Sequence, residues 1–191
     1  MHSKWRAAPV LAAALLASAL VAGSAFAAPS AAPAKEFTPS VGQEGKDVIW
    51  VPTPQALVDR MLEIAGTKPT DYVVDLGSGD GRTVITAAKK FGARAHGIEY
   101  NPDMVELAKR NAEKEGVSDK AQFMKADIFK TDFSKATVLT LYLLPKMMMD
   151  LRSKIFEELK PGTRVVSHDY TFDEWRPDDQ HSWDVPEKEK I

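Results

Sequence analysis

Between Tyr72 and Asp169, short apolar runs alternate with longer segments of helical periodicity. Such alternation is satisfied by a parallel sheet with helices on both faces, because each crossover must pack its apolar stripe back onto the sheet. The runs predict strands at Tyr72–Leu76, Arg94–Glu99, Ala121–Lys125, Thr137–Leu143 and Arg164–Asp169. Helices are predicted at Thr83–Phe91, Pro102–Glu115 and about Lys146–Leu159. A further helix precedes the first strand. Thr53 reads as its N-cap and Pro54 as its first position, followed by Leu57, Val58, Met61, Leu62 and Ala65 at helical spacing, with Gly66 as its stop. Asn101-Pro102 repeats the same start signal. The fold class is therefore α/β and Rossmann-like. Its ligand is expected at the carboxyl ends of the strands, near the switch point of the strand order.

The residues at those carboxyl ends carry the chemistry. Asp75-Leu76-Gly77-Ser78-Gly79-Asp80-Gly81-Arg82 joins the first strand to its helix. Gly77 and Gly79 permit backbone angles that a Cβ forbids, and let a ligand come close to the main chain. The spacing is Gly-x-Gly-x-Gly, whereas the dinucleotide fingerprint is Gly-x-Gly-x-x-Gly, which seats a pyrophosphate on a helix N-terminus. Asp75, Ser78 and Asp80 suit instead the ammonium-bearing methionyl end of S-adenosylmethionine, which has no pyrophosphate. The alternative is a tight strand-to-helix turn. Glu99 ends the second strand, where an acid meets ribose hydroxyls in this architecture; otherwise it is a charged strand end. Tyr100 and Asn101 flank the adenosine, or Tyr100 only packs. Asp127 follows the third strand and either accepts from the exocyclic amine of adenine, with Ile128 on the ring, or is a surface carboxylate. His96, Met147, Met148 and Met149 are read as packing residues, and the charges from Asp103 to Glu115 as a solvated helix face.

Asp75 to Arg82, Gly97-Ile98-Glu99 and Asp127 resemble the motifs of class I S-adenosylmethionine-dependent methyltransferases. Val51-Pro52-Thr53-Pro54, Leu141-Tyr142-Leu143-Leu144-Pro145 and Gly162 to Asp169 resemble, more narrowly, a family of bacterial proteins and mitochondrial protein-lysine methyltransferases. The mitochondrial members modify a lysine of the ATP synthase c subunit or of the adenine nucleotide carrier. The resemblance covers about Ile49 to Pro177. It implies cofactor contacts at Gly77, Gly79, Glu99 and Asp127, with Val51 to Thr53 closing over the cofactor. It also implies transfer of a methyl group to an amine, first of all a protein lysine; the alternatives are a small-molecule or lipid methyltransferase, or a non-catalytic binding module. A membrane-embedded protein is among the acceptors it allows. Many amino methyltransferases carry an acidic or Asn-Pro-Pro-Tyr motif where this chain has Leu141 to Pro145, which has no acid. Tyr142, His168 and Asp169 are the candidates to orient the amine, each with a structural role as its alternative.

The remaining expectations come from composition. The formal charge of −2, with acids and bases mixed, predicts no strongly basic face and hence no nucleic-acid partner. The chain has no cysteine, which excludes disulfides, thiolate metal sites and a cysteine nucleophile. No His and acid spacing suggests a metal site. Lys4 and Arg6, an apolar run from about Ala7 to Ala22, and Ala25-Phe26-Ala27 form the three-part pattern of an export signal. Three segments follow: a signal over 1–27, a linker rich in Pro and Ala over 28–45, and a cofactor-binding domain over 46–191. Export to the periplasm is expected, with an uncleaved membrane anchor as the alternative. Only five strands and the start of a sixth, Trp183 to Val185, fit the length, so the C-terminal hairpin usual in this class is expected to be incomplete.

Overall fold

The computed structural model describes residues 37–45 and 49–182. The export pattern and Trp183 to Val185 lie outside them. In chain order the elements are α1 (Gln55–Ile64), β1 (Tyr72–Leu76), α2 (Arg82–Phe91), β2 (Arg94–Glu99), α3 (Pro102–Lys114), β3 (Ala121–Lys125), β4 (Val138–Leu141), α4 (Pro145–Glu158) and β5 (Arg164–Ser167).

The five strands form one parallel sheet in the order β3-β2-β1-β4-β5. From β1 the chain winds outward through β2 and β3, then crosses back to place β4 on the other side. The loops leaving β1 and β4 therefore diverge, and a crevice opens between them. Side chains alternate across β1, so Val73 joins one core and Val74 the other. Val73 packs with Val58, Leu62, Val84, Val105 and Phe123 beneath α1, α2 and α3. Val74 and Leu76 pack with Ile98, Leu139, Leu141, Met148, Leu151 and Ile155 beneath α4. Each fully buried aliphatic side chain contributes about 1.5–3 kcal/mol. The charges of α3 do face solvent, and Met148 is core, as the sequence suggested.

Asn101 caps α3 as predicted, its Oδ1 accepting from the Asp103 amide at 2.9 Å and from Met104 at 3.4 Å. Thr53 does not cap α1. That helix begins at Gln55 with Pro54 at the cap position, whose side chain has no acceptor to offer, and the Thr53 hydroxyl meets His168 Nδ1 at 3.3 Å. Two strands are also shorter than predicted. The β4–β5 pairing ends at Leu141 and Ser167, with one further bond from the His168 amide to the Leu141 carbonyl at 3.0 Å. The Tyr170 amide then turns back to the His168 carbonyl at 2.8 Å. This tight turn leaves Asp169 at φ +62°, outside the strand expected to contain it.

The linker reading requires correction over its last residues. Gly42 donates to the Trp50 carbonyl at 2.8 Å and Trp50 to the Gln43 carbonyl at 2.9 Å, while Glu44 and Ile49 pair antiparallel. Residues 40–45 are therefore one arm of a folded strap. Hydrogen bonds across the strap outweigh a turn-rich composition that by itself suggested a loose tether.

Candidate functional site

One cavity opens at the carboxyl ends of the strands, over the β1–β4 switch point. It is lined by all eleven residues read as cofactor contacts: Thr53, Asp75, Gly77, Ser78, Gly79, Asp80, Glu99, Tyr100, Asn101, Asp127 and Ile128. Tyr142 also lines it, as do Trp50 of the strap, Met104, Leu143 and Met147. Met147 was expected only to pack; its position at the start of α4 turns it to the cavity wall.

The glycine loop is wired from within. The amides of Gly77 and Ser78 both donate to the Ile98 carbonyl, at 2.8 and 3.1 Å, and Gly81 donates to the Ser78 carbonyl at 2.9 Å. The Gly79 amide donates to Glu99 Oε2 at 2.9 Å. At the first turn of α2, Asp80 Oδ1 accepts from the Arg82 amide at 3.3 Å. A pyrophosphate would need those amides, so the loop is unsuited to a dinucleotide. A Cβ on Gly79, at φ +53°, would stand 2.8 Å from Trp50 Nε1. Ser78 lines the same cavity. Its Oγ is buried without a hydrogen-bond partner, and a Cβ on Gly97 would come within 2.5 Å of it. The side chain thus packs close on Gly97 of β2.

Three carboxylates surround this loop. Glu99 Oε1 accepts from the Asn101 amide and Oε2 from Gly79, both at 2.9 Å. A carboxylate oxygen has two acceptor sites, so each retains one. Asp75 is 7% exposed and takes a 2.6 Å bond from the Thr140 hydroxyl. Burial, reinforced by the charges of Glu99 and Asp80, pushes its carboxyl up to about 7 against the opposing bonds of Thr140 and Thr83. Asp80 is forked by Arg82, with Nε–Oδ1 at 3.0 Å and Nη2–Oδ2 at 2.7 Å. Arg82 Nη1 also donates to the Thr53 carbonyl at 2.8 Å. Neither Arg82 nor Trp50 was given a role from the sequence. The adjacency of Asp80 and Arg82 was the available signal for the fork; nothing local signalled the Trp50 contact. Asp127 Oδ1 accepts from the Phe129 amide at 3.0 Å, which holds the start of the loop after β3, and Ile128 is buried beside it.

The three residues read as orienting an amine cluster but are not equivalent. The Tyr142 ring lies 3.9 Å from the His168 ring, centroid to centroid. His168 is not part of the cavity wall and lies behind Tyr142, with its side chain 10% exposed. Burial pulls its pKa down, opposed by the Asp169 charge. Burial raises the Tyr142 phenol, and Asp169 and Tyr170 add to that. Asp169 is itself 59% exposed, with Oδ1 3.4 Å from His168 Nε2. Aspartate is among the few non-glycine residues that adopt the left-handed backbone seen at Asp169, and Asp173 does so too, at φ +52°. His96, the other histidine considered, is a packing residue inside β2, with its pKa lowered by burial. Among the described residues no group of His, Cys, Asp and Glu could hold a metal ion.

Residues 75–179 match the family model described as the ANTKMT methyltransferase domain. The chain is 48% identical over 131 residues to a protein-lysine N-methyltransferase of Saccharolobus islandicus, covering 68% of this chain and 81% of that protein. It is 36% identical over 121 residues to the adenine nucleotide translocase lysine N-methyltransferase of Mus musculus, covering 63% of this chain and 52% of that one. It therefore spans about half the length of that mouse relative. Among solved structures, an RNA methyltransferase from Salinibacter ruber in complex with S-adenosyl-L-homocysteine is 50% identical, with a TM-score of 0.69, covering 72% of this chain and 95% of that one.

Proposed function

The chain belongs to the ANTKMT methyltransferase domain family, and from that premise we propose that it methylates the side-chain amine of a protein lysine. It is an S-adenosylmethionine-dependent methyltransferase of the Rossmann-like class. The observation that carries the choice of acceptor is the 48% identity to a protein-lysine N-methyltransferase over most of that protein's length.

The cavity's chemistry fits the cofactor. The spare acceptor sites on both Glu99 oxygens suit two vicinal ribose hydroxyls. Ile128, Met104 and Leu143 offer apolar contact to the adenine, and Asp127 an acceptor for its amine. The carbonyls of the glycine loop supply negative character for the methionyl ammonium, and that cation in turn favours the ionised form of Asp75. When bound, S-adenosylmethionine supplies a methyl group that the amine nitrogen takes as the carbon–sulfur bond breaks and sulfur keeps the electron pair. The chain's own task is to align the amine and keep it neutral. A lysine starting near pKa 10.4 costs about 4.6 kcal/mol to hold neutral at pH 7 in water. A wall of Trp50, Met147 and Tyr142 limits water and lowers that cost by disfavouring the ammonium form. In this reading Tyr142 borders the acceptor, and His168 and Asp169 support it from behind.

A second reading, RNA as acceptor, is favoured by the Salinibacter ruber relative, an RNA methyltransferase. The chain's net charge of −2 speaks against it, since RNA binding rests on cationic contacts to phosphate. The test is tritium transfer from labelled S-adenosylmethionine to a protein extract and to total RNA. Label recovered as methyllysine after acid hydrolysis supports the proposal; label confined to nucleotides overturns it. We further propose that the N-terminal pattern directs export and is cleaved after Ala27. Intact-mass measurement of the chain recovered from cell fractions checks this: a periplasmic product starting at Ala28 is the expected result, and a cytosolic one with the N-terminus retained is the contrary result.

A further inference from the structure

A continuous set of contacts runs from the cofactor loop to the acceptor wall. The Arg82 guanidinium, forked on Asp80, donates through Nη1 to the Thr53 carbonyl at 2.8 Å. The Thr53 hydroxyl lies 3.3 Å from His168 Nδ1, across 115 residues of sequence. On the far side of the ring, Nε2 faces Asp169 Oδ1 at 3.4 Å. A carboxylate offers only acceptor sites. The nearby carboxylate favours a proton on Nε2 of the neutral imidazole, and in that tautomer Nδ1 accepts from the Thr53 hydroxyl. The ring so held lies against Tyr142, at 3.9 Å between centroids. Thr53 stands just before the cap position of α1, and its hydroxyl meets the imidazole.

We infer that Thr53 is a positioning residue for methyl transfer. Together with Asp169 it fixes the tautomer and tilt of His168, which sets the Tyr142 ring at the acceptor wall, and Arg82 anchors Thr53 itself to the cofactor loop. The inference rests on the reading of Tyr142 as part of the acceptor wall. It differs from the cofactor contact that the sequence suggested for Thr53. A cofactor contact would act on S-adenosylmethionine affinity, and a positioning residue acts on the transfer rate with affinity unchanged.

The test compares the full chain with Thr53→Val, which keeps the shape without the hydroxyl, and Thr53→Ser, which keeps the hydroxyl. Histidine labelled with nitrogen-15 reports the His168 tautomer by NMR, calorimetry reports S-adenosylmethionine affinity, and tritium transfer into a fixed protein extract reports rate. In the parent chain the Nδ1 and Nε2 resonances should show a single Nε2–H form. Thr53→Val should bring them toward a mixture of tautomers and slow transfer about fivefold to tenfold, roughly the worth of one hydrogen bond. Its cofactor affinity should hold within about twofold, and Thr53→Ser should restore both tautomer and rate. An unchanged tautomer and rate in Thr53→Val overturn the inference. So does a rate loss matched by an equal loss of affinity, which makes Thr53 a cofactor contact. Tyr142→Phe and His168→Phe separate this from the underlying reading. If both transfer at the parental rate, the acceptor wall itself is misassigned. If they are slow while Thr53→Val is not, only the role of Thr53 fails.

Discussion

Glu99 divides its two oxygens between the protein and the space in front of it. One acceptor site on each holds a backbone amide, of Gly79 or Asn101. Glu99→Ala removes both the loop's anchor and the sites suited to hydroxyls. With charged hydrogen bonds at about 1.5–3 kcal/mol each, S-adenosylmethionine affinity measured by calorimetry should fall by about tenfold or more. Asp75 carries a pH dependence of its own. Its carboxyl is raised to about 7 in the folded protein and is ordinary when unfolded. Between about pH 4 and 7 the folded state therefore holds a proton that the unfolded state has lost, and stability falls as pH rises through that window. The full cost, about 4 kcal/mol, is present only above both values. Asp75→Asn, which can still accept from Thr140, should flatten this decline, so that its denaturant midpoint exceeds that of the parent chain at pH 8 and approaches it at pH 4. These residues were legible in the sequence because each sits in a short motif at a strand end. Arg82 bridging to Thr53, and Thr53 to His168, were not: the partners stand 29 and 115 residues apart, and only the folded sheet brings them together.

The strands and helices were readable because periodicity, caps and glycine stops agree along most of the chain, as Asn101 at the start of α3 illustrates. The element ends were read less well. Apolar residues continue past Leu141, and nothing in Ser167-His168-Asp169 announces a turn, yet the ladder stops where His168 and Tyr170 redirect the backbone. The start of α1 was read one residue early, since Pro54 and not Thr53 holds the cap position. Gly97 shows how tightly the elements interlock. It sits mid-strand in β2, where a Cβ would meet Ser78 Oγ at 2.5 Å and Phe123 Cδ1 at 2.6 Å. Gly97→Ala should lower the unfolding free energy by about 1–3 kcal/mol, the usual cost of overpacking. Because the clash is with the loop after β1, cofactor affinity should fall as well. Urea melts and calorimetry on the same variant check the two effects.

For the molecule as a whole, the sheet and the strap make unequal contributions. Neither the sheet nor its two cores draws a residue from 37–45 or 49–50, whereas Trp50 covers the glycine loop and Gln43 reaches Met104 Sδ at 3.8 Å. A chain beginning at Val51 should keep a cooperative melting transition while its S-adenosylmethionine affinity drops about tenfold, the loss typical of a removed aromatic anchor; a parental affinity would show the strap to be incidental. The composition of 28–45 hid this, because proline, alanine and serine describe a tether equally well whether or not its last residues later fold. The inward-wired loop has a final consequence. With the amides of Gly77, Ser78, Gly79 and Gly81 already bonded within the protein, the loop holds its working shape before any ligand arrives. No conformational entropy has to be surrendered there on binding. The cost of ordering is then the ligand's own, and one preformed cradle can present the same cofactor to whichever acceptor the cavity admits.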